Sequence, residues 1–182
     1  MKVNAETGLL EGAQYFPSPN HDERPNGTKI DALIIHAISL PPGEYGGGDI
    51  ERLFGNALDF GRHPFSMSIA GIRVSSHLLI RRNGEAVQFV PFAHRAWHAG
   101  VSVLEGRARV NDFSIGIELE GWDYAPFEES QYQSLVLLTR ALQDAYPEIT
   151  QARIVGHSDI APDRKTDPGP YFNWQRFRRA LG

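Results

Sequence analysis

The run Ile30-Asp31-Ala32-Leu33-Ile34-Ile35, closed by His36, constrains this chain more than any other stretch. A short, mostly apolar run of this kind reads as a buried strand. Ending it on an imidazole puts a polar, metal-competent group where a sheet gives way to its loops. Phe113 to Glu120 adds a second strand, in which Phe113, Ile115, Ile117 and Leu119 alternate with Ser114, Gly116, Glu118 and Glu120. One face is apolar; the other carries small residues and two carboxylates. Arg153 to Gly156 reads as a short strand that delivers a second histidine, His157. His36, Glu118 and His157 are all expected at strand ends, where a rigid sheet fixes functional groups and loops shape a pocket.

Helices are expected around these strands. Over Asp49 to Leu58, the residues Ile50, Leu53, Phe54, Ala57 and Leu58 fall at i, i+3, i+4, i+7 and i+8, the stripe of an amphipathic helix. His77 to Arg82 and Glu85 to Val90 read as a hairpin, and the Asn83-Gly84 between them predicts a type I′ turn. A longer helix is expected from about Glu128 to Tyr146, burying Tyr132, Leu135, Val136 and Leu142 and stopped by Pro147. Asn173 reads as the N-cap of a last helix whose inner face carries Trp174, Phe177 and Leu181. The expected fold is one α/β domain over residues 1–182, a central mixed β-sheet flanked by helices. A chain of 182 residues can bury a core without staples.

The chemistry concentrates in the loop from His157 to Pro170. Lys165 and Asp167 are two apart, so in an extended stretch their side chains leave on the same side. Pro162, Pro168, Gly169 and Pro170 limit how far the loop wanders. Two histidines and an aspartate can supply three zinc ligands, and a catalytic zinc keeps its fourth position open. That points to a hydrolase. Each residue also has a plainer reading: Glu118 and Glu120 as a solvated strand face, Lys165 as a surface lysine. Asp159 and Asp163 read as turn residues, and His21, His63 and His94 as structural. The loop Leu40 to Gly48, rich in Gly and Pro, reads as one that reaches over a site or stands beside it.

Composition removes other classes. A net charge of −4 gives no basic face for nucleic acid. Without cysteine there is no thiolate nucleophile or ligand, which fits a reducing compartment. The first residues, Met1 to Gly8, lack the apolar core of a signal peptide, and no apolar stretch reaches the roughly 18 residues of a membrane span. A soluble, cytoplasmic chain without a membrane partner is the expectation.

Four segments, His36 to Gly43, Arg95 to Gly100, Asn111 to Gly121 and His157 to Pro170, together resemble the zinc N-acetylmuramoyl-L-alanine amidases, in particular the AmpD-type branch acting on 1,6-anhydro-muropeptides. The resemblance runs from about Pro17 to Phe177. It implies a mixed sheet flanked by helices, shared with peptidoglycan recognition proteins, and one zinc per chain held by His36, His157 and Asp167. Glu118 matches the glutamate that activates water, and Lys165 the lysine that meets the oxyanion. Arg73 and Arg109 are implied holders of the stem-peptide carboxylates, while Trp97 and His98 shape the sugar and peptide walls. Ala37 stands where asparagine is common, which removes one side-chain contact. The implied role is muropeptide hydrolysis in cytoplasmic cell-wall recycling by a monomer, with a link to β-lactamase regulation. The alternatives are a peptidoglycan-binding protein of the same fold and an amidase acting on polymeric wall.

Overall fold

In the computed structural model, which describes residues 1–182, the chain runs β1 (Gln14–Tyr15), β2 (His21–Glu23), β3 (Ala32–Ile38), α1 (Asp49–Phe54), α2 (Pro64–Ser68), β4 (Leu78–Ile80), β5 (Ala86–Gln88) and β6 (His94–Ala96). It continues through β7 (Val103–Leu104), β8 (Arg107–Ala108), β9 (Ser114–Glu120), α3 (Glu129–Ala145), β10 (Ile154–Gly156), α4 (His157–Ile160) and α5 (Trp174–Leu181). Six strands form the central sheet in the order β1-β5-β4-β9-β3-β10. The β4–β5 pair is antiparallel and the other pairs are parallel, so the sheet is mixed, as expected. β9 and its neighbour β3 are both interior strands, and every residue of β9 is buried.

The period-2 geometry of these two strands divides the molecule. Leu33 and Ile35 of β3, with Ile115, Ile117 and Leu119 of β9, enter a cluster that also holds Leu135, Leu138 and Leu142 of α3 and Phe177 and Leu181 of α5. α3 begins with a capping box between Glu128 and Gln131. The Gln131 amide then donates to the carbonyls of Ile80 (3.2 Å) and Glu120 (2.9 Å), fastening the helix start to the ends of β4 and β9. At α5, the Asn173 side chain accepts from the Arg176 N–H at 2.9 Å, the cap read from sequence. The opposite side of the sheet has two smaller apolar clusters. One gathers Leu79, Val87 and Phe89 under α1; the other gathers Ala32, Ile34, Val110 and Phe113 against Ile160. Polar side chains fill the space between them.

Several boundaries differ from the sequence reading. α1 stops at Phe54 because Gly55 and Asn56, the latter at φ +59°, leave the helix; Leu58 is buried without being helical. The β4–β5 connection is not a type I′ turn. Only Gly84 has positive φ (+87°), and Arg81 N–H pairs with the Glu85 carbonyl at 2.8 Å, giving a three-residue loop. A Cβ at Gly84 would stand 2.9 Å from the Ser130 carbonyl, so α3 itself leans on this loop. β3 also runs two residues past His36, which places that histidine inside the strand. His157 is the first residue of the short helix α4.

Candidate metal centre and active site

Parallel pairing of β3 with β9 sets His36 directly beside Glu118. Parallel pairing of β3 with β10 brings the end of β10, and so His157, to the same edge of the site. The Ser158 N–H donates to the Asp167 carbonyl at 2.9 Å, which folds the proline-rich loop back so that Asp167 faces both rings. His36 Nδ1 lies 3.0 Å from His157 Nδ1 and 3.2 Å from Asp167 Oδ2, and His157 Nδ1 lies 3.1 Å from the same oxygen. Three donors on one tetrahedral zinc, at bonds of about 2.0–2.2 Å, stand on the order of 3.4 Å apart.

The donor chemistry agrees with a cation at this point. His157 Nε2 is 3.2 Å from the Ala99 carbonyl, which can only accept. A neutral His157 therefore carries its proton on Nε2 and turns the Nδ1 lone pair toward the other two donors. Burial lowers His36 to about 4, so its ring is neutral at physiological pH. Burial on its own raises Asp167, but its close contacts with the His157 and His36 rings outweigh it and hold the carboxyl well below the usual range. Two lone-pair nitrogens and a carboxylate converging within hydrogen-bond distance repel one another unless a proton or a cation stands between them. A divalent ion fits that arrangement, and among the chain's acidic, histidine and cysteine side chains His36, His157 and Asp167 form the one cluster close enough to hold it.

Glu118 and Glu120 lie on the same face of β9 and have different fates. Glu120 accepts from Gly46 N–H (2.7 Å), Arg81 Nη1 (3.0 Å) and Arg82 N–H (3.1 Å), so it anchors the Gly-rich loop after β3. Glu118 is 8% exposed, and its Oε2 is buried with no partner. Burial pushes its carboxyl well above the ordinary value; the Asp167 charge adds to the rise and Lys165 opposes it. The reading of both glutamates as a solvated face is thereby corrected.

A cavity of about 180 Å³ is lined by His36, Ala37, Trp97, His98, Glu118, His157, Lys165 and Asp167, together with Val74 and Ser75. Lys165 also borders an adjoining, more apolar cavity of about 430 Å³ that includes Phe65, Ile72 and Trp122. A larger cavity of about 700 Å³, beside Arg81 and Glu51, lies away from the metal donors; its Arg81 is already paired with Glu51 and Glu120. Arg73 and Arg109 line none of the three. Arg73 is exposed and adjoins the cavity residue Val74 in sequence. Arg109 sits at φ +61° with its Nε 3.0 Å from Asp112. The Trp97 indole N–H donates to Asp22 at 3.2 Å.

Asp159, read as a turn residue, instead lies in the first turn of α4, where its carboxylate accepts from the Gly156 N–H at 2.7 Å and caps the helix start. Sequence reasoning passed over His77, Ser114 and Gly116. His77 is fully buried beside Arg24, whose guanidinium reaches the carbonyls of Phe92, Asn111, Asp112 and Ser114. The signal for Ser114 and Gly116 was the run of small residues on the polar face of β9.

The family described as N-acetylmuramoyl-L-alanine amidase matches residues 26–170. The chain is 58% identical over 173 residues to the 1,6-anhydro-N-acetylmuramyl-L-alanine amidase AmpD of Escherichia coli K12, covering 95% of this chain and 94% of that one. The crystal structure of a selenomethionine AmpD derivative superposes with a TM-score of 0.96 at 52% identity, with 100% of both chains covered. The amidase AmiD from E. coli, in complex with anhydro-N-acetylmuramic acid-L-Ala-D-γ-Glu-L-Lys, gives a TM-score of 0.62 at 33% identity over 87% of this chain and 60% of that one.

Proposed function

The chain belongs to the N-acetylmuramoyl-L-alanine amidase family, and from that premise we propose how its residues carry out the reaction. It is an anhydro-muropeptide amidase of cell-wall recycling, hydrolysing the amide between 1,6-anhydro-N-acetylmuramic acid and L-alanine. Water adds across that bond, giving a free lactyl carboxylic acid and a peptide with a free amino group.

His36, His157 and Asp167 would hold one zinc ion per chain. Zinc at such a site brings the pKa of water toward 7 and polarises a carbonyl oxygen. Glu118 accepts the proton of the attacking water on its free Oε2 and passes it to the departing nitrogen of L-alanine. Its raised pKa suits both halves of that transfer, since the same carboxyl must take a proton and then give it up. The Lys165 ammonium, on the rim of the same cavity, meets the negative charge that appears only in the tetrahedral state. A donor of that kind is commonly worth on the order of 3 kcal/mol.

Stem-peptide carboxylates suit the guanidinium groups of Arg73 and Arg109. Trp97 and His98 line the same cavity and would shape the sugar and peptide walls, and Ala37 leaves an apolar wall where a longer side chain could have bonded the peptide. No helix is long and apolar enough to cross a membrane. We take the chain to act as a monomer on a soluble muropeptide in the cytoplasm.

The observation that carries the reading is the convergence of three metal-type donors beside a buried glutamate with an unpartnered oxygen. Incubating zinc-replete protein with anhydro-N-acetylmuramyl-tripeptide, beside a chelated aliquot, and weighing the products by mass spectrometry tests it. Free tripeptide that disappears on chelation and returns with zinc is expected. Intact substrate with zinc demonstrably bound would overturn the assignment.

A further inference from the structure

His98 lies behind His36, away from the other two metal-type donors. Its ring packs edge-on against His36 with centroids 5.0 Å apart, and both of its nitrogens are engaged. His98 Nδ1 is 2.9 Å from His36 Nε2, and His98 Nε2 is 3.2 Å from Ser114 Oγ. Ser114 Oγ is in turn 2.7 Å from the Val110 carbonyl oxygen.

The direction of this chain follows from its far end. A carbonyl only accepts, and 2.7 Å is the length of a good O–H···O bond, so the single Ser114 hydrogen points at Val110. Toward His98, then, the Ser114 oxygen is an acceptor and His98 Nε2 is the donor. His98 is buried with no carboxylate in hydrogen-bonding reach, so its ring is neutral and has one N–H. That proton is on Nε2, which leaves a lone pair on Nδ1. His36 must therefore donate from Nε2, and its own Nδ1 lone pair faces His157 and Asp167.

We propose that Val110 carbonyl, Ser114 and His98 form a one-way hydrogen-bond relay that holds His36 in the Nε2–H tautomer, making His98 and Ser114 positioning residues for the metal centre. The inference rests on the metal-site reading and adds to it. Without the relay, His36 could instead place its proton on Nδ1 and donate it to Asp167, 3.2 Å away, which would block the site.

The surroundings are built for this ring. Asn111 Oδ1 accepts from the N–H groups of His98 (3.2 Å) and Ala99 (2.8 Å), fixing the backbone that carries it. A Cβ at Gly116 would stand 2.5 Å from His98 Cγ, so only glycine leaves room there. Ser114, Gly116 and Glu118, successive on one face of β9, thus accept from His98, make space for it, and face the reaction.

Long-range ¹H–¹⁵N spectra of histidine-labelled, zinc-free protein read the tautomers directly. His36, His98 and His157 are each expected to carry the proton on Nε2. Ser114→Ala, a loss of one oxygen, is expected to populate the Nδ1–H form of His36 and to weaken zinc about 10–100-fold in chelator competition. Ser114→Thr, which keeps the hydroxyl, is expected to restore both readings. An Nδ1-protonated His36 in the parent protein would overturn the relay, as would Ser114→Ala with unchanged tautomers and zinc affinity. A parent protein that binds no zinc would overturn the metal reading, while its tautomer spectrum still decides the relay.

Discussion

The two faces of the central sheet use the same strands for different ends. Toward α3 and α5, β3 and β9 present Leu33, Ile35, Ile115, Ile117 and Leu119 to a single apolar cluster. Toward the other side they present His36, Ser114, Gly116, Glu118 and Glu120, between two smaller apolar clusters. The first face is stabilised by area removed from water, roughly 25 cal/mol per Å². The second buries titratable groups, which costs free energy unless each has a partner or a ligand. The lesson is that the helix-covered face makes up for the polar one: a sheet held firmly on one side can hold a partnerless glutamate on the other.

Substitutions should separate the two faces. The largest effect is expected at the donors. Asp167→Ala or His157→Ala should abolish both zinc content, measured by elemental analysis, and tripeptide release. Glu118→Gln should keep the zinc and lower kcat by about 10²–10⁴-fold. Lys165→Ala should also keep zinc and cost about 10²–10³-fold in kcat, read in the same assay. On the opposite face, Leu135→Ala should lower stability by about 2–5 kcal/mol in denaturant melts while the zinc content of the folded protein stays the same.

A smaller effect has a defined pH dependence. Burial raises Glu118 above its ordinary 4.5, so the folded, metal-free chain binds this proton more tightly than the unfolded chain does. The resulting stabilisation is complete below pH 4.5 and is lost as pH rises through the raised folded value. Glu118→Gln should therefore melt higher than the metal-free parent at neutral pH and equal to it near pH 4. The smallest change is expected at the α5 cap, where Asn173→Ala should cost about 1 kcal/mol in thermal melts and leave turnover unchanged.

Much of the helix-covered face was legible in the sequence, because its periodicity is its physics. The i, i+3, i+4 pattern of α3 and the alternation of β9 name the core residues directly. Four motifs in order carried the candidate metal donors His36, His157 and Asp167, which the fold brings together, and Glu118 and Lys165, which line the same cavity. Local backbone chemistry was harder to read. Asn83-Gly84 suggested a two-residue turn, yet the approach of α3 and a single positive φ at Gly84 gave a three-residue loop. Gly55-Asn56 ended α1 inside an unbroken apolar stripe. His98 read as a wall of the pocket because spacing alone cannot show which nitrogen faces which neighbour. Its contacts to His36 and Ser114 depend on how the segment after β6 settles against β3 and β9, which only the folded chain shows.

The central claim, that one face of the sheet holds the molecule together and the other does the chemistry, is tested most directly by a paired measurement on Leu135→Ala and Glu118→Gln. Denaturant melts and tripeptide release would be recorded on the same zinc-loaded preparations. The account predicts a crossed result: Leu135→Ala loses stability and keeps its turnover per folded molecule, whereas Glu118→Gln loses turnover and keeps or gains stability. Both variants losing both properties in proportion would contradict it.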